Sequence, residues 1–416
     1  MKSFLPLIQS EWRLLLFGFA MAFASSLGQT YFIGLFSGEI RLDLGLSHGA
    51  FGGIYSAATL ASAILLLWTG SFIDRVDLRR YTYAVTVGLA LACALMAGSN
   101  SIAMLFLAVL ALRHLGQGLM SMAGATAMVR YLDHHRGKAN ALAGIGYSVS
   151  EALLPTAVIV TLGLMTWRTS WLFWGALLLL CLPPLTSVLL RGHGQRHNDY
   201  LSGLANTSGQ ALGGPRKQWT RSEVIRDTSF YLFLPALLAQ PLLFTGFMFH
   251  QVHLVDAKGW DLTAWGSLYI AYALVSTLCK LVAGLLVDRF GAISLVPFIC
   301  LPFGLGLAAL AMSDSFLIAV LFMCLMGVSV GVYSTLSSPF FAEMYGTAHL
   351  GSIKSLTTSA MVFATAIAPV GMGWLIDGGV SMEAMALGAA AYTLLASGSA
   401  LMGVRLRSSL DTLITL

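Results

Sequence analysis

Long apolar stretches separated by short polar connections run along the whole chain. Roughly 20 consecutive apolar residues are enough for an α-helix to cross the hydrocarbon core of a bilayer. By that criterion the pattern predicts twelve membrane-spanning helices, several of them interrupted by Gly or Pro. The predicted spans are 14–36, 49–70, 81–98, 102–128, 140–162, 171–190, 230–253, 263–285, 292–311, 316–340, 351–376 and 384–404. We therefore expect an all-α polytopic membrane protein.

The composition supports this interpretation. Of the 416 residues, 57% are hydrophobic and 10% are charged, whereas soluble domains carry about 25% charged residues. The mean hydropathy is +0.80. The net charge of +5 does not indicate a nucleic-acid partner, because the positive residues cluster in short loops between spans. The five cysteines lie in apolar stretches at no metal-ligand spacing, so we expect packing residues and no metal site.

The distribution of Lys and Arg orients the predicted spans. With the N-terminus inside, eighteen of the 23 Lys and Arg residues fall in cytoplasmic segments. Both termini are therefore expected in the cytoplasm. The protein itself is expected in the inner or plasma membrane. The N-terminal apolar segment lacks a cleavage site at the right distance and is interpreted as a retained first helix.

The two halves of the chain are related by an internal repeat. A shift of 214 residues aligns "FGGIYSAATLAS" (51–62) with "WGSLYIAYALVS" (265–276), and the same register continues through the second to fifth spans. We expect two six-helix bundles, 1–190 and 229–416, joined by a central cytoplasmic loop, 191–228. Such a repeat is the architecture of transporters that work by alternating access.

Two copies of a loop signature suggest a family. "GSFIDRVDLRR" (70–80) and "GLLVDRFG" (284–291) lie at equivalent places in the repeat. Both resemble the cytoplasmic signature of the major facilitator superfamily, although Asp77 replaces a glycine of the pattern. The resemblance implies the major facilitator fold and a cytoplasmic gate, or latch, that breaks when the transporter opens inward. Its residues would be Gly70, Asp74, Arg75, Arg130, Arg136, Gly284, Asp288 and Arg289; the alternative is that these charges only set topology.

A second resemblance concerns the fourth and fifth spans. Residues 112–155 are similar to the same region of monocarboxylate and organic-anion porters within the superfamily, with Ser150 and Glu151 departing from the pattern. Lys280 stands four residues before the signature glycine, where those porters carry a basic residue. The matching residues of the fourth and fifth spans are Tyr131, Arg136, Gly137, Ala139, Gly144, Gly146 and Pro155.

Three charged residues inside spans have no counterpart in the repeat. Lys280, Arg113 and Glu151 align with Leu66, Gly327 and Thr365, respectively. A charge at mid-bilayer is costly, so each is a candidate for substrate binding or coupling. Arg113 and Glu151 could form a buried pair, which would leave Lys280 to bind a substrate carboxylate. If Glu151 is instead free, it could carry a proton. Independently of that choice, the Lys280 side chain could extend partly toward the cytoplasm and not contact substrate.

The remaining candidates are polar residues of the first span, of which Gln29 and Tyr31 are expected to line the cavity. No phosphate-binding glycine-rich loop occurs, so we expect neither ATP nor another cofactor. We also find no catalytic residues, which argues against a membrane-embedded enzyme, and no appended signalling domain, which argues against a sensor. The sequence thus predicts a monomeric secondary transporter of a small organic anion, coupled to protons or working by exchange. The alternative is a carrier of neutral or amphipathic small molecules.

Overall fold

The structure is a computed structural model that describes residues 5–70, 72–132, 136–196, 219–346 and 350–414. This part of the chain contains twelve helices long and apolar enough to cross a membrane. The twelve predicted spans and the all-α fold are therefore confirmed. The spans are Pro6–Gly28, His48–Thr69, Leu78–Ala97, Ile102–Tyr131, Gly137–Leu164, Trp167–Leu189, Thr228–Phe249, Leu262–Phe290, Ala292–Met312, Phe316–Ser337, Leu356–Asp377 and Met382–Arg407. We call them spans 1 to 12.

The chain folds as two compact units, each containing six spans. Unit 1 comprises residues 1–46 and 53–211, and unit 2 comprises residues 47–52 and 212–416. The predicted domain limits at 190 and 229 stay a prediction. Part of the predicted central loop lies outside the described residues, and a short helix occupies Arg221–Arg226 within it.

The helices of the first half are α1 Leu5–Ala24, α2 Thr30–Leu35, α3 Ser37–Leu44, α4 His48–Thr69, α5 Phe72–Arg75, α6 Leu78–Ala97, α7 Ile102–Leu112, α8 Ser121–Tyr131, α9 Arg136–Leu164 and α10 Trp167–Leu189. Those of the second half are α11 Arg221–Arg226, α12 Thr228–Phe249, α13 Gln251–Ala257, α14 Leu262–Phe290, α15 Ala292–Leu295, α16 Leu301–Met312, α17 Phe316–Tyr345, α18 Leu350–Asp377 and α19 Met382–Ile414.

Span 1 is broken, although the sequence predicts a continuous helix over 14–36. A 3-10 turn at Ser25–Gly28 follows α1, and Gln29 is extended, with ψ of 154°, before the chain re-enters a helix. Serine and glycine favour such a break, because Ser hydroxyls bond to nearby backbone and Gly adds flexibility. The equivalent stretch of unit 2 lies inside the helix α12. The break is thus a feature of unit 1 that the repeat does not share.

Each unit has an apolar core of aromatic and aliphatic side chains. In unit 1, Phe32 and Phe36 pack against Trp171 with ring centroids 5.4 and 4.8 Å away. In unit 2, Phe233 and Phe340 are fully buried with centroids 5.1 Å apart. These contacts join the segment around α2 to span 6 and α12 to α17, so residues far apart in sequence hold each bundle together.

One end of each unit carries an ion-paired cluster that ties its loops together; we call these the loop clamps. In unit 1, Arg168 bonds Asp43 at 2.6 Å and also the carbonyl oxygens of Ala97 and Ser99. In unit 2, the roles of cation and anion are exchanged. There Lys258, the counterpart of Asp43 to within one residue, pairs with Asp314 at 2.6 Å and Glu383 at 2.7 Å.

Candidate functional site

The break in span 1 brings polar side chains together inside unit 1. The Ser26 hydroxyl lies 2.6 Å from that of Ser150 in span 5, and the Tyr31 hydroxyl donates to the Ser150 hydroxyl at 3.5 Å. Gln29 stands at the extended residue of the break and is half-buried. We call the cluster the unit-1 polar site; it comprises Ser26, Gln29, Thr30, Tyr31, Tyr55, Arg113, Ser150 and Glu151.

Arg113 is the buried cation of this site, with 3% of its surface exposed. Its Nη1 donates to the Gly28 carbonyl oxygen at 3.0 Å, at the end of the 3-10 turn. Its guanidinium carbon lies 5.1 Å from the centroid of the Tyr55 ring, and the Tyr55 hydroxyl is 2.7 Å from that of Thr30. The Nε of Arg113 is buried without a hydrogen-bond partner among the described residues. The guanidinium therefore retains a donor for another acceptor.

A second backbone irregularity positions Arg113. Residues Arg113–Met120 of span 4 form a π-helical stretch, and such bulges occur frequently at functional sites. Here span 4 meets the break of span 1 through two glycines. A Cβ added to Gly28 would lie 2.2 Å from the Leu112 oxygen, and one added to Gly116 would lie 2.8 Å from the Gly28 Cα. The two backbones touch, which places the Gly28 carbonyl within reach of Arg113.

Unit 2 uses the same positions for close helix packing instead. The counterparts of Arg113 and Gln117 are Gly327 and Gly331. A Cβ on Gly327 would lie 2.8 Å from the Tyr272 oxygen, and one on Gly331 would lie 2.5 Å from the Ser276 oxygen. Small residues four apart let helices approach closely in membranes. In unit 1 the position of Gly327 carries Arg113, whose side chain contacts Gly28 and Tyr55.

Glu151 follows Ser150 on span 5 and is half-buried. Because the neighbouring Ser150 hydroxyl contacts those of Ser26 and Tyr31, Glu151 stands next to this hydrogen-bonded set. In the described part of the chain, the hydrogen bond and the ring contact of Arg113 go to Gly28 and Tyr55. The pairing of Arg113 with Glu151 stays a prediction.

Lys280 lies on span 8 in unit 2 and is half-buried. Its backbone packs against span 10, where the Thr335 hydroxyl donates to the Lys280 carbonyl oxygen at 3.3 Å. A Cβ on Gly331 would lie 3.2 Å from the Lys280 nitrogen. The tight contact between spans 8 and 10 thus fixes the backbone that carries this lysine.

The signature residues of unit 1 are described in part. A Cβ on Gly70 would lie 2.7 Å from the Leu66 oxygen and 3.3 Å from the end of Met122. Arg130 donates to the Ile73 carbonyl oxygen at 3.2 Å and so ties span 4 to the signature loop. The side chains of Asp74, Arg75 and Arg136 lie outside the described part of the structure.

The signature of unit 2 differs in its packing. A Cβ on Gly284 would meet open space, in contrast to Gly70. Asp288 and Arg289 are exposed, and the Arg289 guanidinium lies over the Phe290 ring. The loop after them is held by Glu343, whose carboxylate accepts bonds from the backbone nitrogens of Ala292 and Ile293. A carboxylate at a helix N-terminus is electrostatically favourable.

Comparison with known protein families agrees with the fold and its repeat. Residues 18–264 and 232–410 match the family model described as Major Facilitator Superfamily. The chain belongs to the major facilitator superfamily. It is accordingly a membrane transport protein for small molecules and not an enzyme.

Solved facilitator structures share this fold at low sequence identity. The nucleoside transporter NupG superposes with a TM-score of 0.66 at 13% identity, over 94% of this chain and 99% of that one. A bacterial homologue of the human lysosomal transporter Spinster, in an inward-facing and unoccupied conformation, gives 0.63 at 13% identity, over 94% and 97% of the two chains. No curated protein matched this facilitator by sequence.

Sequence reasoning missed Ser26, Tyr55 and Ser150 as members of the unit-1 polar site. Tyr55 is repeated in unit 2 as Tyr269, whose hydroxyl donates to Gln251 at 2.7 Å, so it is not one of the residues that distinguish the two halves. The buried cation Arg113 could have indicated that a partner such as Tyr55 lies nearby, since a buried cation needs a partner. Glu343 was also missed, because it lies outside the signature loop that it caps.

Proposed function

We propose that this facilitator is a secondary transporter of a small organic anion, with a monocarboxylate as the expected class, and that it works by alternating access. The observation that carries the proposal is the buried Arg113, which has no counterpart in the repeat and retains a buried Nε donor. A planar guanidinium is suited to carboxylate oxygens. Lys280 is the second candidate cation, on the other half of the repeat.

Glu151 is proposed as the coupling group. A half-buried carboxylate beside tyrosine and serine hydroxyls can take up a proton when its surroundings become less polar. Uptake of an anion together with a proton would leave the net charge of the loaded transporter unchanged. Exchange of one anion for another would not require Glu151 to titrate, and the two modes differ in their dependence on a pH gradient.

A carrier of neutral polar compounds is the second candidate function. Hydroxyl groups predominate in the unit-1 polar site, where Ser26, Tyr31 and Ser150 form a hydrogen-bonded set. Such a set suits a substrate rich in hydroxyls, and one structurally similar facilitator is the nucleoside transporter NupG. In this case Arg113 would position the backbone of span 1 and would not touch the substrate.

Thermal-shift screening of purified protein followed by counterflow in proteoliposomes separates the two functions. Small carboxylates and nucleosides are tested on the wild type and on Arg113→Gln, Lys280→Gln and Arg221→Gln; Arg221 is an exposed cation outside the spans and serves as the control. For an anion, we expect at least a tenfold loss in affinity for Arg113→Gln or Lys280→Gln, because hydrogen bonds to charged groups contribute about 1.5–3 kcal/mol. Counterflow of a nucleoside but of no carboxylate would overturn the anion proposal.

The arrangement in the membrane completes the proposal. We propose that the transporter lies in a cell inner or plasma membrane and acts as a monomer, with both termini in the cytoplasm, as the distribution of Lys and Arg predicts. Gly70, Asp74 and Arg75, with their repeat partners Gly284, Asp288 and Arg289, are proposed to form the cytoplasmic latch with Arg130 and Arg136. The bond between Arg130 and the signature loop supports a role for Arg130 in holding that loop.

A further inference from the structure

A polar cavity lies where the start of span 1 meets the end of span 6 in unit 1. Its volume is about 310 Å³, the lower end of the range for sites that hold small molecules. The polar residues that line it are Ser10, Glu11, Arg13, Arg191, His193 and Arg196. Three arginines therefore share the cavity with a single carboxylate among its lining residues.

The charges of this cavity are unevenly matched. Glu11 pairs with Arg196 at 2.7 Å, so one arginine is balanced by the carboxylate. Arg13 lies with its guanidinium 5.5 Å from the centroid of the exposed Trp12 ring, and Arg191 is exposed. The backbone of span 1 leaves helical geometry at Glu11, with φ of −121°, which bends the first residues of α1 at the cavity. The lining is thus positively charged and open to an anion.

An apolar groove also lies along spans 1 and 6, and its lining residues follow those of the cavity on span 1 and precede them on span 6. It has a volume of about 370 Å³ and runs along Leu16 to Leu27 of span 1. Other lining residues are Phe19, Phe23, Leu154, Trp174, Cys181 and Leu185. Leu16 and Leu185, nearest the cavity, are 39% and 37% exposed. Side chains exposed at the depth of a membrane span are covered by lipid chains, since that region contains no water.

The dimensions of the groove fit one leaflet. Leu27 stands eleven positions after Leu16, which corresponds to about 16 Å along a helix. Half of a hydrocarbon core about 30 Å thick is about 15 Å. The polar cavity lies at the end of the groove that the distribution of Lys and Arg predicts to be cytoplasmic. The anionic lipids of cell membranes present phosphate groups at that surface.

From these features we propose a binding site for an anionic phospholipid on unit 1. The phosphate occupies the cavity beside Arg13 and Arg191, and an acyl chain lies in the groove between spans 1 and 6. Arginine binds phosphate oxygens in a bidentate geometry, and basic pockets between membrane helices on the cytoplasmic side bind anionic headgroups. The site is separate from the unit-1 polar site and does not depend on which substrate is carried.

The test is lipid titration of the purified full chain in a neutral detergent, read as the rise in Tm. The probes are phosphatidylglycerol, phosphatidylcholine with the same acyl chains, and soluble glycerol 1-phosphate. Neutralising Arg13 and Arg191 together, as R13Q/R191Q, should raise the half-saturating concentration of phosphatidylglycerol roughly 25-fold, about fivefold for each arginine. The matched control R79Q/R80Q removes two exposed arginines at the start of span 3 and should leave the titration unchanged.

A second variant tests the groove and gives an independent result if the first variant misfolds. Cys181 is exposed and lines the groove, so C181W fills the acyl-chain site without opening the core. It should weaken phosphatidylglycerol binding while both arginines remain. In the wild type, phosphatidylglycerol with a photoreactive acyl chain should crosslink to peptides of spans 1 and 6. Equal stabilisation of R13Q/R191Q and wild type, an equal loss in R79Q/R80Q, or a full effect of glycerol 1-phosphate alone would overturn the proposal.

Discussion

At the scale of single residues, the ring of Tyr55 and its hydroxyl make separate contributions to the unit-1 polar site. The ring lies against the Arg113 guanidinium, and the hydroxyl bonds to Thr30. Tyr55→Phe removes the hydroxyl and should lower the free energy of unfolding by about 1 kcal/mol. Tyr55→Leu also removes the cation–π contact, which contributes about 2 kcal/mol at a desolvated site. Denaturant titration of the two variants measures the difference.

The same pair of variants separates stability from transport. Tyr55→Phe keeps the ring under Arg113 and should retain most of the counterflow rate, whereas Tyr55→Leu should lose most of it. Equal stability and equal transport for the two variants would mean that the ring does not position the guanidinium.

Individual site residues were predictable from the sequence where charge made them conspicuous. Arg113, Glu151 and Lys280 were predicted as candidates because a charge inside an apolar span is costly and because the repeat does not copy it. Ser26 and Tyr55 were not, because a hydroxyl in a membrane helix is common and its partner depends on packing. The contacts of Arg113 with Gly28 and Tyr55 join residues far apart in sequence. The spacing of residues along the chain does not predict such contacts.

At the scale of elements, the contact between the break of span 1 and the π-helical stretch of span 4 depends on Gly28. A Cβ at this position would lie 2.2 and 2.7 Å from backbone atoms of Leu112 and Gln117, which cannot rotate away. Gly28→Ala should therefore lower the free energy of unfolding by about 1–3 kcal/mol, the range for overpacked sites. It should also reduce substrate affinity, because the Gly28 carbonyl that holds Arg113 must move.

Gly163→Ala is the matched control for this prediction. Gly163 lies in α9, is exposed, and has no atom within 4 Å of an added Cβ. The substitution should stabilise the protein by about 0.5–1 kcal/mol, because alanine is the better helix former. A Gly28→Ala variant as stable and as active as Gly163→Ala would show that spans 1 and 4 are not in backbone contact at this point.

Elements were predicted more completely than their irregularities. All twelve spans follow from the length of the apolar stretches, since lipid leaves a spanning backbone few alternatives to the helix. The break at Ser25–Gln29 and the π-helical stretch at Arg113–Met120 did not follow. Both arise where two spans touch through Gly28 and Gly116, so they depend on tertiary packing. The sequence shows where the two glycines stand, but it does not show which residues they contact.

At the scale of the whole molecule, the repeat preserves the position of each loop clamp and exchanges its charges. Arg168 is the cation of unit 1 and Lys258 is the cation of unit 2, each holding acceptors on neighbouring loops. The repeat therefore conserves the requirement for an ion pair at this end of a six-helix unit, while the sign at each position is free. The cation of the unit 2 clamp can lose its charge at alkaline pH, because a lysine loses its proton near pH 10.4, whereas an arginine stays charged.

The exchange of charges predicts that alkaline pH weakens the clamp of unit 2 alone. The Lys258 side chain is fully buried. Burial by itself lowers the pKa of Lys258, but hydrogen bonds and charges from Asp314 and Glu383 outweigh it, and the pKa is raised above 10.5. A lysine whose pKa is raised by folding contributes stability that is complete below its unfolded pKa and is lost as pH rises through the folded value. The loss from this single group has a slope of at most about 1.4 kcal/mol per pH unit.

Unfolding of the wild type, Lys258→Met and Arg168→Met between pH 8 and pH 12 measures this difference. At pH 8 each methionine variant should be less stable than the wild type by about 2 kcal/mol, the contribution of hydrogen bonds to a charged group. As the pH rises above 10.5, the gap between wild type and Lys258→Met should shrink, because the wild-type lysine loses its charge. The gap between wild type and Arg168→Met should persist, since arginine keeps its proton. Parallel pH profiles for the two variants would mean that the charge of Lys258 does not contribute to the stability of unit 2.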